Sequence, residues 1–217
     1  MATSCLKDND ASPNLPKTAL RLVNAYSYAE SIVFADENNY ITPPAVPLRY
    51  SEYTRDLAVL YPGNKRIKVY DNMNKLVSDT TLNLKDSSYY TSFVFGNTEK
   101  AKNLIAKDIA LNNLGNNAGI RFLHLANNIG NVSVHFNTIT NTIYPNRAPE
   151  LLSAAENPNT LFTAETSGKQ KIIITDANAN ILVEREHEFI KSHYYSIILI
   201  GDKNSTSKPL YLGIIQQ

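Results

Sequence analysis

The sequence predicts an all-β chain made of two tandem β-sandwich domains. Three observations carry this: an internal repeat, short β-rich runs closed by turn residues, and very little amphipathic helix pattern. The repeat is clearest where Ile67-Lys68-Val69-Tyr70-Asp71 pairs without gaps with Ile172-Ile173-Ile174-Thr175-Asp176. The same register carries Leu76-Val77 onto Ile181-Leu182, and Ser87, Tyr89, Tyr90 and Gly96 onto Ser192, Tyr194, Tyr195 and Gly201. Upstream, Leu20-Arg21-Leu22-Val23-Asn24-Ala25 matches Ile120-Arg121-Phe122-Leu123-His124-Leu125. Boundaries follow: a tether over 1–16, one sandwich over 17–113 and a second over 114–217.

Within each unit the elements follow from period and punctuation. Ile67, Val69 and Leu76 alternate around Asp71-Asn72-Met73-Asn74, which predicts a hairpin, and Asp176 to Asn180 repeats its turn. Asp71 and Asp176 are expected to accept backbone hydrogen bonds there. Thr91 to Phe95 and Ser196 to Ile200 are continuous β-rich runs closed by Gly, as expected of central strands covered on both faces. Last strands are expected over Asn103–Leu111 and Pro209–Ile215; a helix over Ala101–Leu111 is disfavoured because its repeat partner reads poorly as helix. Pro145 to Ala155 reads as a short helix or a long loop. Asn, about three times as frequent as Gly, marks the connecting turns.

Composition excludes several functions. With 21 basic against 20 acidic residues there is no field for nucleic acid or an anionic membrane surface. No apolar run approaches the roughly 18 residues of a membrane-spanning helix. The lone cysteine, Cys5, rules out an intrachain disulfide and thiolate metal clusters. No phosphate-binding glycine loop, nucleophile elbow or zinc helix is present, so no catalytic residue is assigned, the chain is read as non-enzymatic and no cofactor is expected. His124, His135, His187 and His193 all lie in the second unit, opposite residues such as Asn24, Leu82 and Ser88, and no metal site is assigned to them. Glu184, Glu186 and Glu188 share one strand face, read as solvated rather than as a calcium or acid cluster.

Ala2-Thr3-Ser4-Cys5 resembles a bacterial lipobox, with Ala in place of the usual Leu and no signal region before it, which suggests a truncated chain. Leu6-Lys7-Asp8-Asn9-Asp10 is similar to the surface-export signal of Bacteroidetes lipoproteins, and Ala11 to Pro16 suits a tether. Lipidation of Cys5 and display on the outer membrane are therefore expected, with a periplasmic location as the alternative. The other reading of Cys5 is an ordinary terminus. Asp79-Thr80-Thr81 resembles a short Bacteroidetes O-glycosylation signal.

The strands opening at Arg21-Leu22-Val23-Asn24-Ala25 and Arg121-Phe122-Leu123-His124, and closing at Tyr90–Gly96 and Tyr195–Gly201, resemble those of the family called domain of unknown function 4397. That resemblance covers about 18–217 and implies immunoglobulin- or transthyretin-like sandwiches at the cell surface, with no activity. The expected function is a binding or adhesion module for protein partners. The alternative is a glycan-binding accessory of a nutrient-uptake system. Tyr26, Tyr28, Tyr40, Tyr50, Tyr53 and Tyr61, clustered in a loop-rich, Pro-containing part of the first unit, are the candidate ligand contacts.

Overall fold

A computed structural model describes residues 16–151 and 157–217. Cys5 and most of the predicted tether lie outside the described residues. The first half holds β1 (Thr18–Tyr26), β2 (Ser31–Asp36), β3 (Asn39–Tyr40), β4 (Leu48–Arg49), β5 (Ala58–Leu60), β6 (Gly63–Asp71), β7 (Leu76–Leu84), β8 (Tyr89–Gly96) and β9 (Lys102–Lys107). The second holds β10 (Ala118–His124), β11 (Val132–Phe136), β12 (Thr142–Arg147), β13 (Thr163–Glu165), β14 (Gly168–Asp176), β15 (Ile181–Phe189), β16 (Tyr194–Ile200) and β17 (Tyr211–Gln216). The chain is all-β, with one single-turn 3-10 helix at Pro158–Thr160 among the described residues.

Four sheets result, two from each half. The inner sheets run β5-β1-β8-β9 and β13-β10-β16-β17; the outer sheets run β3-β2-β6-β7, with β4 also on β2, and β12-β11-β14-β15. Every strand pairing among the described residues stays within its own half. The two sandwiches are joined by packing instead. Leu20, Leu22, Val94 and Ile105 of the first inner sheet pack on Ile32, Phe34, Ile67 and Val69 of its outer sheet. Ile120, Phe122, Ile197 and Leu199 do the same against Val134, Phe136, Ile172 and Ile174. A third core, made of Val23, Ala25, Phe93, Phe95 and Leu104 against Leu123, Leu125, Ile198, Ile200 and Ile215, lies between the two inner sheets.

The layer order is therefore outer, inner, inner, outer, and the inner strands are buried on both faces. That is why β8 and β16 read as continuous apolar runs while β6 and β15 alternate. Along β1 the side chains of Leu20, Leu22 and Tyr26 enter the sandwich core, and Val23 and Ala25 enter the junction. β1 pairs in parallel with β8, and β10 with β16, an arrangement the repeat did not reveal because pairing direction leaves little trace in apolar pattern.

Turn chemistry repeats in detail. Asp71 Oδ1 accepts from the N–H groups of Met73 and Lys75, and Asp176 Oδ1 from those of Asn178 and Asn180, as the sequence predicted. Asn74 and Ala179 take positive φ, as do Ser87 and Ser192, and Gly96 and Gly201. The hydroxyls of Tyr90 and Tyr195 accept from Lys85 N–H and Ile190 N–H, both at 3.1 Å. The last strands fall at β9 and β17, so strand prevails over helix at 102–107. Of the Pro145–Ala155 stretch, Pro145–Arg147 ends β12 and residues 148–151 are loop.

Candidate ligand cleft at the junction of the halves

Tyr89 and Tyr194, the first residues of β8 and β16, sit on the junction side of the inner sheets, one residue before the core tyrosines Tyr90 and Tyr195. With Arg21, Leu57, Asp108, Ala110, Phe162 and Gln217 they line a cleft of about 400 Å³ built from both halves and the segment that joins them.

Its second-half wall is fixed. Tyr194 pairs with Gly119 and lays its ring over it so closely that a β-carbon there would come within 2.3 Å. Its hydroxyl accepts from Leu111 N–H at 2.8 Å, and Phe162 meets the ring edge-on at 5.0 Å. The first-half wall differs by one methyl group. Ala19 stands where the second half has glycine, and its partner Tyr89 is 57% exposed.

The polar groups of the cleft form a network across the junction. Arg121, wholly buried, reaches Asp108 at 2.7 Å, donates from Nε to Ser196 Oγ at 2.7 Å, and stacks on Phe162 at 4.5 Å. Thr91 Oγ1 donates to Asp108 Oδ2 at 2.8 Å, and Gln217 Nε2 donates to Ser196 Oγ at 2.7 Å. Desolvation pulls the Arg121 pKa down and the Asp108 carboxylate opposes it, so the ion pair keeps the buried charge. Arg21, its repeat equivalent, donates from Nη1 to the carbonyls of Thr54 and Arg55, with Tyr53 beside its guanidinium at 5.9 Å. Its Nε is buried, whereas Nη2 is not and meets no acceptor among the described residues. Arg21, which lines the cleft, thus keeps Nη2 without an acceptor among the described residues.

The six tyrosines singled out in the sequence do not converge. Tyr26 is buried in the first sandwich core and donates to Thr98 O at 2.5 Å; burial pushes its pKa up to about 12. Tyr28, Tyr40 and Tyr61 are exposed. Tyr50 and Tyr53 pack against the junction core, and burial raises the Tyr50 phenol to about 12. Tyr53, behind Arg21, is the one that touches the cleft's machinery. The cleft aromatics Tyr89, Tyr194 and Phe162 were missed, although the Tyr-Tyr pairs held the signal: in a strand one of two neighbours must face away from its own core.

The other sequence candidates resolve simply. His124 is buried and hydrogen-bonded to Gly130 O, His135 lies between Thr142 and Thr175, and His187 packs edge-on against Phe189 and Tyr195. His193 meets Lys191 O. Burial lowers the pKa of the first three. No group of three His, Cys, Asp or Glu residues fit to hold a metal occurs among the described residues. Glu184 and Glu186 lie on an exposed face, paired with Lys171 and Lys169 at 2.8 and 2.7 Å. No described helix is long and apolar enough to cross a membrane.

Residues 18–135 match the family model described as domain of unknown function (DUF4397), more than half of the chain. The chain belongs to the DUF4397 family. The match takes in the strands of the first half, and β10 and all but the last residue of β11 in the second. No curated protein matches this DUF4397 chain in sequence. Among solved structures it is similar to a family CBM26 carbohydrate-binding module from Eubacterium rectale, in complex with maltoheptaose. The identity is 9%, with 93% of this chain and 97% of that one covered and a TM-score of 0.28. A candidate cell adhesion protein from Bacteroides eggerthii matches at 11% identity, 93% and 96% coverage and a TM-score of 0.22.

Proposed function

We propose that this DUF4397 protein is a non-enzymatic binding module, held at the outer surface of the outer membrane through a lipid on Cys5, that takes its ligand in the junction cleft. The observation that carries the binding role is the cleft's combination of an exposed tyrosine, a fixed aromatic wall and a guanidinium nitrogen with no acceptor among the described residues. Concave, largely apolar sites with a few placed polar groups are where proteins hold ligands. Asp108 is the one acidic side chain in the cleft lining and is engaged by Arg121 and Thr91, which supports binding rather than acid–base chemistry.

Each partner class has an observation in its favour. For a surface protein, a groove of about 550 Å³ runs along β7 and β9, lined by Leu76 to Thr80 and Lys100 to Lys102, where an extended peptide could add to an open strand edge. For a glycan, the observation is the cleft itself. The test places a photo-crosslinking amino acid at Tyr89 and, separately, at Asp79 in the full-length protein in its native cell. Crosslinks from position 89 support the cleft as the site. Crosslinks from 79 alone move it to the strand edge. Intact mass of the same protein, with Cys5→Ala as comparison, decides lipidation, and protease treatment of whole cells decides surface display.

A further inference from the structure

We propose that the junction cleft is a subsite for an uncharged pyranose ring bearing neighbouring free hydroxyls; this rests on the reading that the cleft is the binding site. A sugar ring has an apolar C–H face and a rim of hydroxyls, and the cleft is divided the same way. Tyr194, pinned by Gly119 and Leu111, offers a preorganised ring, with Phe162 set at 68° to it as a second side of an aromatic corner. Tyr89, exposed and with no hydrogen bond to its hydroxyl among the described residues, can rotate to cover the opposite face. Fixing one wall in advance reduces the ordering cost of binding.

The polar groups select hydroxyls. Arg21 offers Nη2, a donor without an acceptor, and Asp108 offers Oδ2, which accepts only from Thr91 among the described residues and keeps lone-pair capacity. A hydroxyl both donates and accepts, so two adjacent hydroxyls can accept from Arg21 and donate to Asp108 at once. A carboxylate ligand could satisfy only the arginine and would face Asp108 with like charge. Because Nε is buried and Nη1 is committed to two carbonyls, Arg21 cannot present the two-pronged donor pair that favours carboxylates. The volume, about 400 Å³, is near the lower end for small-molecule sites and suits the end of a short oligosaccharide.

The test is calorimetric and NMR titration of the full chain with neutral oligosaccharides of glucose, mannose, galactose and xylose, and with their uronic-acid counterparts. At least one neutral series should bind, with the matching uronide weaker by about tenfold or more. Tyr89→Ala and Arg21→Met should each weaken binding by about tenfold or more, since they remove a stacking face and a charged donor. Tyr61→Ala, exposed and outside the cleft, should leave it unchanged. Tyr89→Ala removes an exposed side chain, so it stays folded and keeps the test decisive even where Arg21→Met does not. A uronide that binds as well as or better than its neutral partner overturns the proposal, as does the absence of saccharide binding up to about 10 mM, a limit near the weakest measurable affinities. If position 89 then crosslinks a protein, the sugar class falls and the cleft remains the site. Saccharide binding that survives Tyr89→Ala removes both.

Discussion

Arg21 and Arg121 occupy the same position of the repeat, yet Arg121 is sealed in an ion-pair network and Arg21 is held only to backbone carbonyls. Arg121 is wholly buried among Asp108, Ser196 and Phe162, while Arg21 keeps a donor open to the cleft. The same asymmetry separates Tyr194, pressed on Gly119, from Tyr89, which pairs with Ala19 and is exposed. The two halves set inner sheets of the same strand order against each other. At these two pairs of positions one side of the cleft is fixed and the other is the more exposed.

The largest expected effect tests whether the frames can stand apart. Residues 17–113 alone would expose Val23, Ala25, Phe93, Phe95 and Leu104, a contiguous apolar face. This fragment should aggregate or self-associate, as ultracentrifugation would show, whereas the whole chain stays dispersed; a monomeric, cooperatively folding fragment would contradict a shared core.

Next in size is Arg121→Met, which leaves Asp108 without its counter-ion and should cost about 3 kcal/mol in denaturant unfolding. Adding Asp108→Leu should recover most of that loss, because an apolar pair tolerates burial. The same Arg21→Met change strands the Thr54 and Arg55 carbonyls but no counter-ion, so it should cost less, about 1–2 kcal/mol.

A smaller contrast lies in the equivalent glycines. A β-carbon on Gly201 would approach Pro209 O to 2.1 Å, whereas on Gly96 the nearest atom is at 3.8 Å, and both have positive φ. Gly201→Ala should therefore lower the melting temperature more than Gly96→Ala, with only backbone strain of about 1 kcal/mol in the latter.

The smallest is a pH effect. Asp202 links the halves by accepting from Asn97 at 2.8 Å, and also from Asn128 and Asn204 N–H. Burial disfavours its charge, but these three donors outweigh it and hold the pKa below the usual aspartate value. A depressed carboxylate contributes stability that is full above the unfolded pKa and is lost as pH falls through the folded one. Asp202→Asn should flatten the stability profile on the acid side, below about pH 4, and leave it nearly unchanged between neutral and alkaline pH.

Much of the frame was legible. The offset from Tyr89-Tyr90 to Tyr194-Tyr195 located the hairpins, the Asp turns and the central strands, because each depends on local chemistry or on burial of a single strand. Even the two-sided burial of Phe93 to Phe95 could be read, though not what covers the second face. The site was less legible. Aromatic density pointed to a loop-rich stretch where Tyr26 proves to be core and Tyr40 and Tyr61 stand apart. The cleft joins residues more than a hundred positions apart, Arg21 and Tyr194 among them, and only the stacking of the two inner sheets brings them together. Nothing local in the sequence encodes that stacking beyond an excess of apolar residues on one face of each inner strand.

The parallel pairing of β1 with β8 also bears on mechanics. Arg21 lies three residues into β1, and Tyr89 pairs with Ala19, so a ligand in the cleft grips the protein near the point where the N-terminal segment enters the fold. Tension between a bound ligand and that segment would enter and leave through the first turnings of one strand, bypassing the outer sheets. Traction along β1 would also load its ladder to β8, eight residue pairs from Ala19–Tyr89 to Tyr26–Gly96, in shear rather than peel it open bond by bond.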